Sequence, residues 1–203
     1  MKKIERHGTA LLSAMLLTLA AVSSPSAARA EDPTLYGGSD WFMSAYGMFG
    51  VDNADTSGGQ PSGGATVTGG FRFNRWLAAE VGGEWAARFK YDQGSGPITC
   101  RGEGGGASSR FTAWQVSGGG RAYLTQSLVQ PFALAHAGFI QTRDSGGGRS
   151  CMGTGFMTRI GGGVDVFVTN GLAVSLLGAY VWPMTGKSTD HDYISFGLGL
   201  TWY

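Results

Sequence analysis

Residues 65–73 read ATVTGGFRF, 74–76 read NRW and 77–89 read LAAEVGGEWAARF. In the first run Val67, Phe71 and Phe73 share one parity, while Thr66, Thr68 and Arg72 share the other. In the second, Leu77, Ala79, Val81, Trp85, Ala87 and Phe89 alternate with positions that include Glu80 and Glu84. Successive side chains of a strand point to opposite faces, so each run has an uninterrupted apolar face and a face carrying isolated charges. Asn74–Trp76 is only long enough for a tight turn. The stretch therefore predicts a β-hairpin whose two faces meet different surroundings.

The same pattern recurs along the chain. Runs of alternating character occupy 40–51, 65–73, 77–89, 111–124, 129–141, 156–168, 172–182 and 193–203. The second, fourth and sixth runs are followed by the short connections NRW, TQSL and TNG. The first, third, fifth and seventh are followed by long ones: DNADTSGGQPSGG, KYDQGSGPITCRGEGGGASSR, TRDSGGGRSCMGTG and PMTGKSTDHD. An even number of antiparallel strands with turns at one end and loops at the other is the layout of a bacterial outer-membrane barrel. The fold expected is all-β, an eight-stranded antiparallel up-and-down transmembrane barrel over residues 40–203. A soluble barrel with polar residues outside and apolar ones inside shares the alternation. Against it stand the aromatics at strand ends, Trp76, Trp85, Tyr180, Trp182, Trp202 and Tyr203, where a membrane girdle would sit. Runs one and five are apolar on both parities and leave their faces, including that of His136, unassigned.

Composition agrees. Glycine is 36 of 203 residues while proline is only 6 and aromatics are 12%; disordered chains are depleted in aromatics, so this glycine belongs to close-packed strands. Residues 1–30 read as a signal peptide: a basic start (MKKIERHG), a short apolar run (TALLSAMLLTLAAV) and Ala28-Arg29-Ala30 before the expected cleavage point. Residues 31–39 are a linker. The signal removes Lys2, Lys3, Arg6 and Arg29 but only one acid, Glu5, so the exported chain is slightly acidic and no nucleic-acid partner is expected.

An eight-stranded barrel has an interior just wide enough for side chains. Arg72, Glu80, Glu84, Arg121, Arg159 and Asp165 fall on the predicted inner faces. Buried charges persist only when paired and hydrogen-bonded, so these six are expected to form a crossed ion-pair network that plugs the lumen. Cys100 and Cys151 are the only cysteines, both in long connections. In an oxidising compartment they read as one disulfide, closing a loop of about 50 residues with a gain of roughly 4 kcal/mol.

Chemical motifs are sparse. The four Gly-Gly-Gly runs lack the Lys-Ser/Thr and the strand-to-helix context of a phosphate loop. His191 lies between Asp190 and Asp192 with Ser188 nearby, the raw material of a hydrolase or a metal site, but neighbouring residues of an extended chain point apart. No catalytic residue, metal ligand or cofactor is expected.

The segment GGFRFNRWLAAEVGGEW resembles the second hairpin of the small OmpA/OmpX-like family of eight-stranded outer-membrane barrels, and GGGVDVFVTNGLAVSLLGAYVW resembles that family's third periplasmic hairpin. The resemblance covers the whole exported chain. It implies a monomer in outer-membrane lipid, reached by export through the inner membrane, periplasmic chaperones and the outer-membrane assembly machinery. That machinery would read the terminal strand: Phe196, Leu198, Leu200, Trp202 and Tyr203. The chain departs from the pattern twice. Leu177 stands where an inward Glu is common, and the lipid-facing parity ends on Trp202 and not on Tyr203, which makes Trp202 the expected membrane-facing anchor. The lipid A deacylase pattern His-x-Ser is missing, since His136 is followed by Ala137 and Gly138. The function expected is non-enzymatic, structural or surface-interacting through outward loops whose ligand is unspecified; an outer-membrane lipid or peptide hydrolase with rim residues and a small pore are the alternatives.

Overall fold

A computed structural model describes residues 41–52, 61–91, 109–146, 149–186 and 192–203. The expected signal peptide, the linker, Cys100 and His191 lie outside the described residues. Eight strands run in chain order: β1 (Trp41–Asp52), β2 (Pro61–Arg72), β3 (Leu77–Tyr91), β4 (Ser109–Tyr123), β5 (Val129–Gly146), β6 (Arg149–Thr169), β7 (Leu172–Pro183) and β8 (Tyr193–Trp202). Each pairs antiparallel with the next, and β8 pairs with β1, so the sheet closes and no edge is left along the shared wall.

The short turns are built by local side chains. The Asn74 carboxamide oxygen accepts from the backbone N–H groups of Trp76 and Leu77 at 2.8 and 2.9 Å, an Asx turn that reverses the chain between β2 and β3. The hydroxyls of Thr125 and Ser127 both donate to the Val129 carbonyl at 2.7 Å. The two turns are fastened together by Gln126, whose side chain donates to the Arg75 carbonyl at 2.8 Å.

The long connections are shorter than expected: residues 61–64, read as loop, already belong to β2, and the larger change lies between β5 and β6. Residues 142–155, read as a long loop, are mostly strand: β5 runs to Gly146 and β6 starts at Arg149, so only residues 147–148 remain between them. Beyond the apolar band a strand has no reason to keep an apolar outer face, and Gly, Ser and Arg there imitate a loop. Cys151 accordingly stands on β6, opposite Asp144, with only its backbone described.

Outward positions carry the large apolar residues, among them Trp41, Val67, Trp76, Val81, Trp114, Phe139, Ile160, Trp182 and Trp202, all exposed. Inward positions form two apolar layers. Nearer the short turns lie Phe42, Tyr46, Met48, Ala78, Tyr123, Phe132, Leu134 and Leu177, with Tyr203 packed against them. Nearer the other end lie Ala86, Ala113, Ile140, Met157, Val181 and Tyr193. The structure thus orients β1 and β5, whose parity the sequence left open: Phe42, Ser44, Tyr46 and Met48 point inward, as do Gln130, Phe132, Leu134, His136 and Ile140.

Two inward glycines make room for this filling. A Cβ on Gly163 would lie 2.6 Å from the Phe132 ring, and one on Gly119 would lie 2.6 Å from His136 Cδ2. Bare backbone at these points lets a large side chain of the neighbouring strand lie flat against the wall.

Candidate functional site in the barrel interior

The six charged residues expected inside are all inside, none more than 8% exposed. They fall into two groups, not one continuous network. In the group nearer the short turns, Arg121 from β4 sits at the centre. Its Nη2 is 2.7 Å from Glu80 Oε2 and its Nη1 is 3.5 Å from Asp165 Oδ2. Phe42 and Phe132 face the guanidinium with ring centroids at 5.1 and 4.2 Å, so the cation is held between carboxylates and aromatic faces. The other Glu80 oxygen lies 2.9 Å from His136 Nε2.

Asp165 is fully buried and collects two further donors, one from β7 and one from the C-terminal residue. Ser175 donates to Oδ1 at 2.5 Å, and the Tyr203 hydroxyl donates to Oδ2 at 2.6 Å. Ser175 lies 2.7 Å from Thr201, which donates to Ser44 at 2.9 Å, so a row of hydroxyls crosses β7, β8 and β1. The Tyr123 hydroxyl approaches that of Tyr203 at 3.2 Å. Arg72 places its guanidinium 3.8 Å from the Tyr123 ring centroid and donates to Gln130 at 2.9 Å. It borders the Arg121 group through Tyr123.

The second group lies nearer the long connections. Arg159 Nη2 is 3.1 Å from Glu84 Oε2, which also accepts from Thr66 at 3.1 Å. Glu84 Oε1 accepts from the Tyr193 hydroxyl at 2.7 Å, and that hydroxyl in turn accepts from Gln115 at 3.2 Å. The charged groups interleave with the two apolar clusters: Arg121 lies between Phe42 and Phe132, and Tyr193 hydrogen-bonds Glu84. A buried pair gives little net stability over an apolar filling, but removing one partner is costly, so such pairs fix register more than they stabilise.

Sequence reasoning assigned the charges to the interior but did not identify which residues partner them. His136, Gln115, Tyr123, Ser175, Tyr193 and Thr201 carry much of the satisfaction. A parity test on β8 and β7 places Tyr193, Thr201 and Ser175 inside; for His136 no signal existed, because β5 is apolar on both faces. Tyr203, grouped with the terminal-strand signal, turns inward to Asp165, whereas Phe196, Leu198, Leu200 and Trp202 face outward.

One arrangement has the order of a hydrolytic triad. Ser117 Oγ is 3.5 Å from His136 Nδ1, and His136 Nε2 is 2.9 Å from Glu80. The first contact is at the limit of a hydrogen bond, and each residue is only 5% exposed. Glu80 is also engaged by Arg121. Ser117 therefore has no described approach for a substrate carbonyl, and the trio reads as lumen packing. At the rim, Tyr180 donates a short hydrogen bond to the Asp192 carboxylate.

Comparison with known proteins places this geometry. The family model described as "Outer membrane protein beta-barrel domain" matches residues 14–203. Among solved structures, Neisserial surface protein A (NspA) superposes with a TM-score of 0.62 at 15% identity, covering 81% of this chain and 97% of that one. Ail, the attachment invasion locus protein of Yersinia pestis, gives a TM-score of 0.55 at 14% identity over 81% of this chain and 97% of its own. Ail in complex with the heparin analogue sucrose octasulfate gives 0.54 at 14% identity, covering 80% and 96% respectively. No curated protein sequence gives a significant match.

Proposed function

This chain belongs to the outer membrane protein beta-barrel domain family, and from that premise we propose that it is a non-enzymatic barrel that holds recognition loops at the cell surface. Its place is the outer membrane. The observation that carries the reading is the barrel interior: buried side chains of all eight strands, ion pairs and two apolar clusters among them, point into the closed sheet. An interior occupied by paired charges and apolar side chains favours a closed scaffold, with the rim as the working surface. Loops on a rigid scaffold are the usual site of recognition.

In this reading the chain is a monomer, inserted by the outer-membrane assembly machinery after passage with periplasmic chaperones. The outward row Phe196, Leu198, Leu200 and Trp202 serves as the terminal recognition strand. Ail has been solved with a heparin analogue, so a sulfated glycan is the first ligand class to offer the loops of this protein.

The test has two parts. Purified protein in planar bilayers should show no steady conductance; a stable ohmic step would replace the reading with a pore. Intact cells should bind a labelled sulfated glycan or host extracellular matrix more than cells lacking the protein. Hydrolysis of outer-membrane lipid or peptide by the purified barrel, lost in a Ser117→Ala variant, would replace it with an enzyme.

A further inference from the structure

The outer wall carries a concavity that neither the barrel interior nor the rim explains. A groove of about 800 Å³ crosses the outer surface from β2 to β6. Its floor is Gly83 on β3, flanked in register by Val67 on β2 and Val116 on β4. Trp85 and Trp114, opposed across β3 and β4 with ring centroids 5.8 Å apart, form one wall, and Phe139 on β5 forms the far side. These side chains face outward, from 40% exposed at Trp85 to 70% at Phe139.

The floor is open. A Cβ on Gly83 would meet nothing nearer than the Gln115 carbonyl oxygen at 3.7 Å, an ordinary contact. Packing of the barrel therefore does not require glycine here, and what its absent side chain provides is depth.

Toward the long connections the groove turns polar. Gln141 and Thr154, opposed on β5 and β6, line its upper end. The next outward residue on β5 is Arg143, which is exposed. A barrel strand crosses the bilayer in roughly 9–11 residues, so Gly83 and Trp85, well along β3 from the 73–76 turn, lie in the half toward the long connections. The order from floor to rim is apolar trough, hydrogen-bonding pair, guanidinium.

We propose that the groove holds one acyl chain of a phosphate-bearing lipid of the outer leaflet, with Gln141 and Thr154 at its linkage region and Arg143 on its phosphate. Inside a bilayer there is no hydrophobic transfer to drive such binding, because the chain is already in hydrocarbon. Selection comes from dense contact with rigid aromatic walls over bare backbone and from a charge-assisted guanidinium–phosphate pair at the interface. The proposal rests on the outer-membrane reading above.

The test embeds the folded barrel in nanodiscs of phosphatidylcholine with a minor fraction of diphosphoryl lipid A and counts retained lipid by native mass spectrometry. Wild type should leave the disc with a single lipid A bound. Gly83→Leu fills the trough and should lower that retention severalfold, with heat-modifiable gel migration unchanged. Arg143→Gln should keep a bound lipid but reduce the preference for lipid A over phosphatidylcholine about fivefold, the worth of one cation at a membrane surface. Equal retention by wild type and Gly83→Leu overturns the proposal. So does release of wild type as a dimer that Gly83→Leu converts to monomer, which would make the occupant a second copy. Should Gly83→Leu not fold, Arg143→Gln decides, and an unchanged preference overturns it. Failure of the outer-membrane reading shows differently: wild type would lack a heat-modifiable form in outer-membrane fractions.

Discussion

The hydroxyl of Tyr203, the last residue of the chain, donates to Asp165 Oδ2 on β6 at 2.6 Å. The terminal side chain thus reaches past β7 to a carboxylate that also serves Ser175 and Arg121. Its ring packs on Phe167 and Phe42 with centroids 5.0 and 5.8 Å apart. Closure of the sheet by β8 against β1 is therefore accompanied by an inner fastening to β6.

Removing that hydroxyl in Tyr203→Phe leaves Asp165 short of one donor in a buried site. A loss of about 1–3 kcal/mol is expected, seen as a lower temperature for conversion of the folded gel band to the unfolded one. An unchanged conversion temperature would mean that the hydrogen bond adds nothing to the folded barrel.

Trp202 and Tyr203 should fail in different assays. Trp202 is exposed on the outer face, in phase with Phe196, Leu198 and Leu200. Trp202→Ala should reduce the amount of barrel assembled in cells, while Tyr203→Ala should assemble in larger amount but melt earlier. If Tyr203→Ala lowers assembly as much as Trp202→Ala, the outward parity of β8 is not the feature the assembly machinery reads.

Glu80 joins Arg121 and His136 in a buried cluster. Glu80→Leu removes the nearer of the two carboxylates on the buried Arg121 guanidinium and should cost about 3–5 kcal/mol in urea unfolding from vesicles. Adding Arg121→Met should recover most of that loss, since an apolar filling of similar size tolerates burial. A double variant no better than the single one would show that the pair contributes more than mutual neutralisation.

The strand count, the closed antiparallel order and the inner faces of β2, β3, β4 and β6 were legible because a charge or a hydroxyl alternates with each large apolar residue there. On β1 and β5 that contrast vanishes. Phe42, Tyr46, Phe132 and Leu134 fill the bore with the same residue types that face lipid, so alternation carries no sign. The partners of each charge were illegible for another reason. Glu84 and Tyr193 meet across the bore from strands 109 positions apart, and which inward residues share a level depends on strand stagger, which local pattern does not record. The tops of β5 and β6 escaped because they stand beyond the apolar band that gives a membrane strand its signature.

Cys100 lies outside the described residues, and Cys151 is described by its backbone alone. A single disulfide between them is expected. Non-reduced protein should migrate ahead of reduced protein after full unfolding, and Cys100→Ser should abolish the difference. Thiol labelling of both cysteines in unreduced, unfolded protein would show the bond to be missing.

The strands are unequal: β6 has 21 residues and β8 has 10. At about 3.3 Å per residue and a tilt of about 45°, β8 rises roughly 23 Å and β6 roughly 50 Å. A hydrophobic band of about 25 Å is nearly spanned by the shorter strand alone. The remaining height belongs to one side of the wall, where the paired strands β5 and β6 continue past the end of β8. Among the described strands, a large molecule approaching from outside would meet that hairpin first.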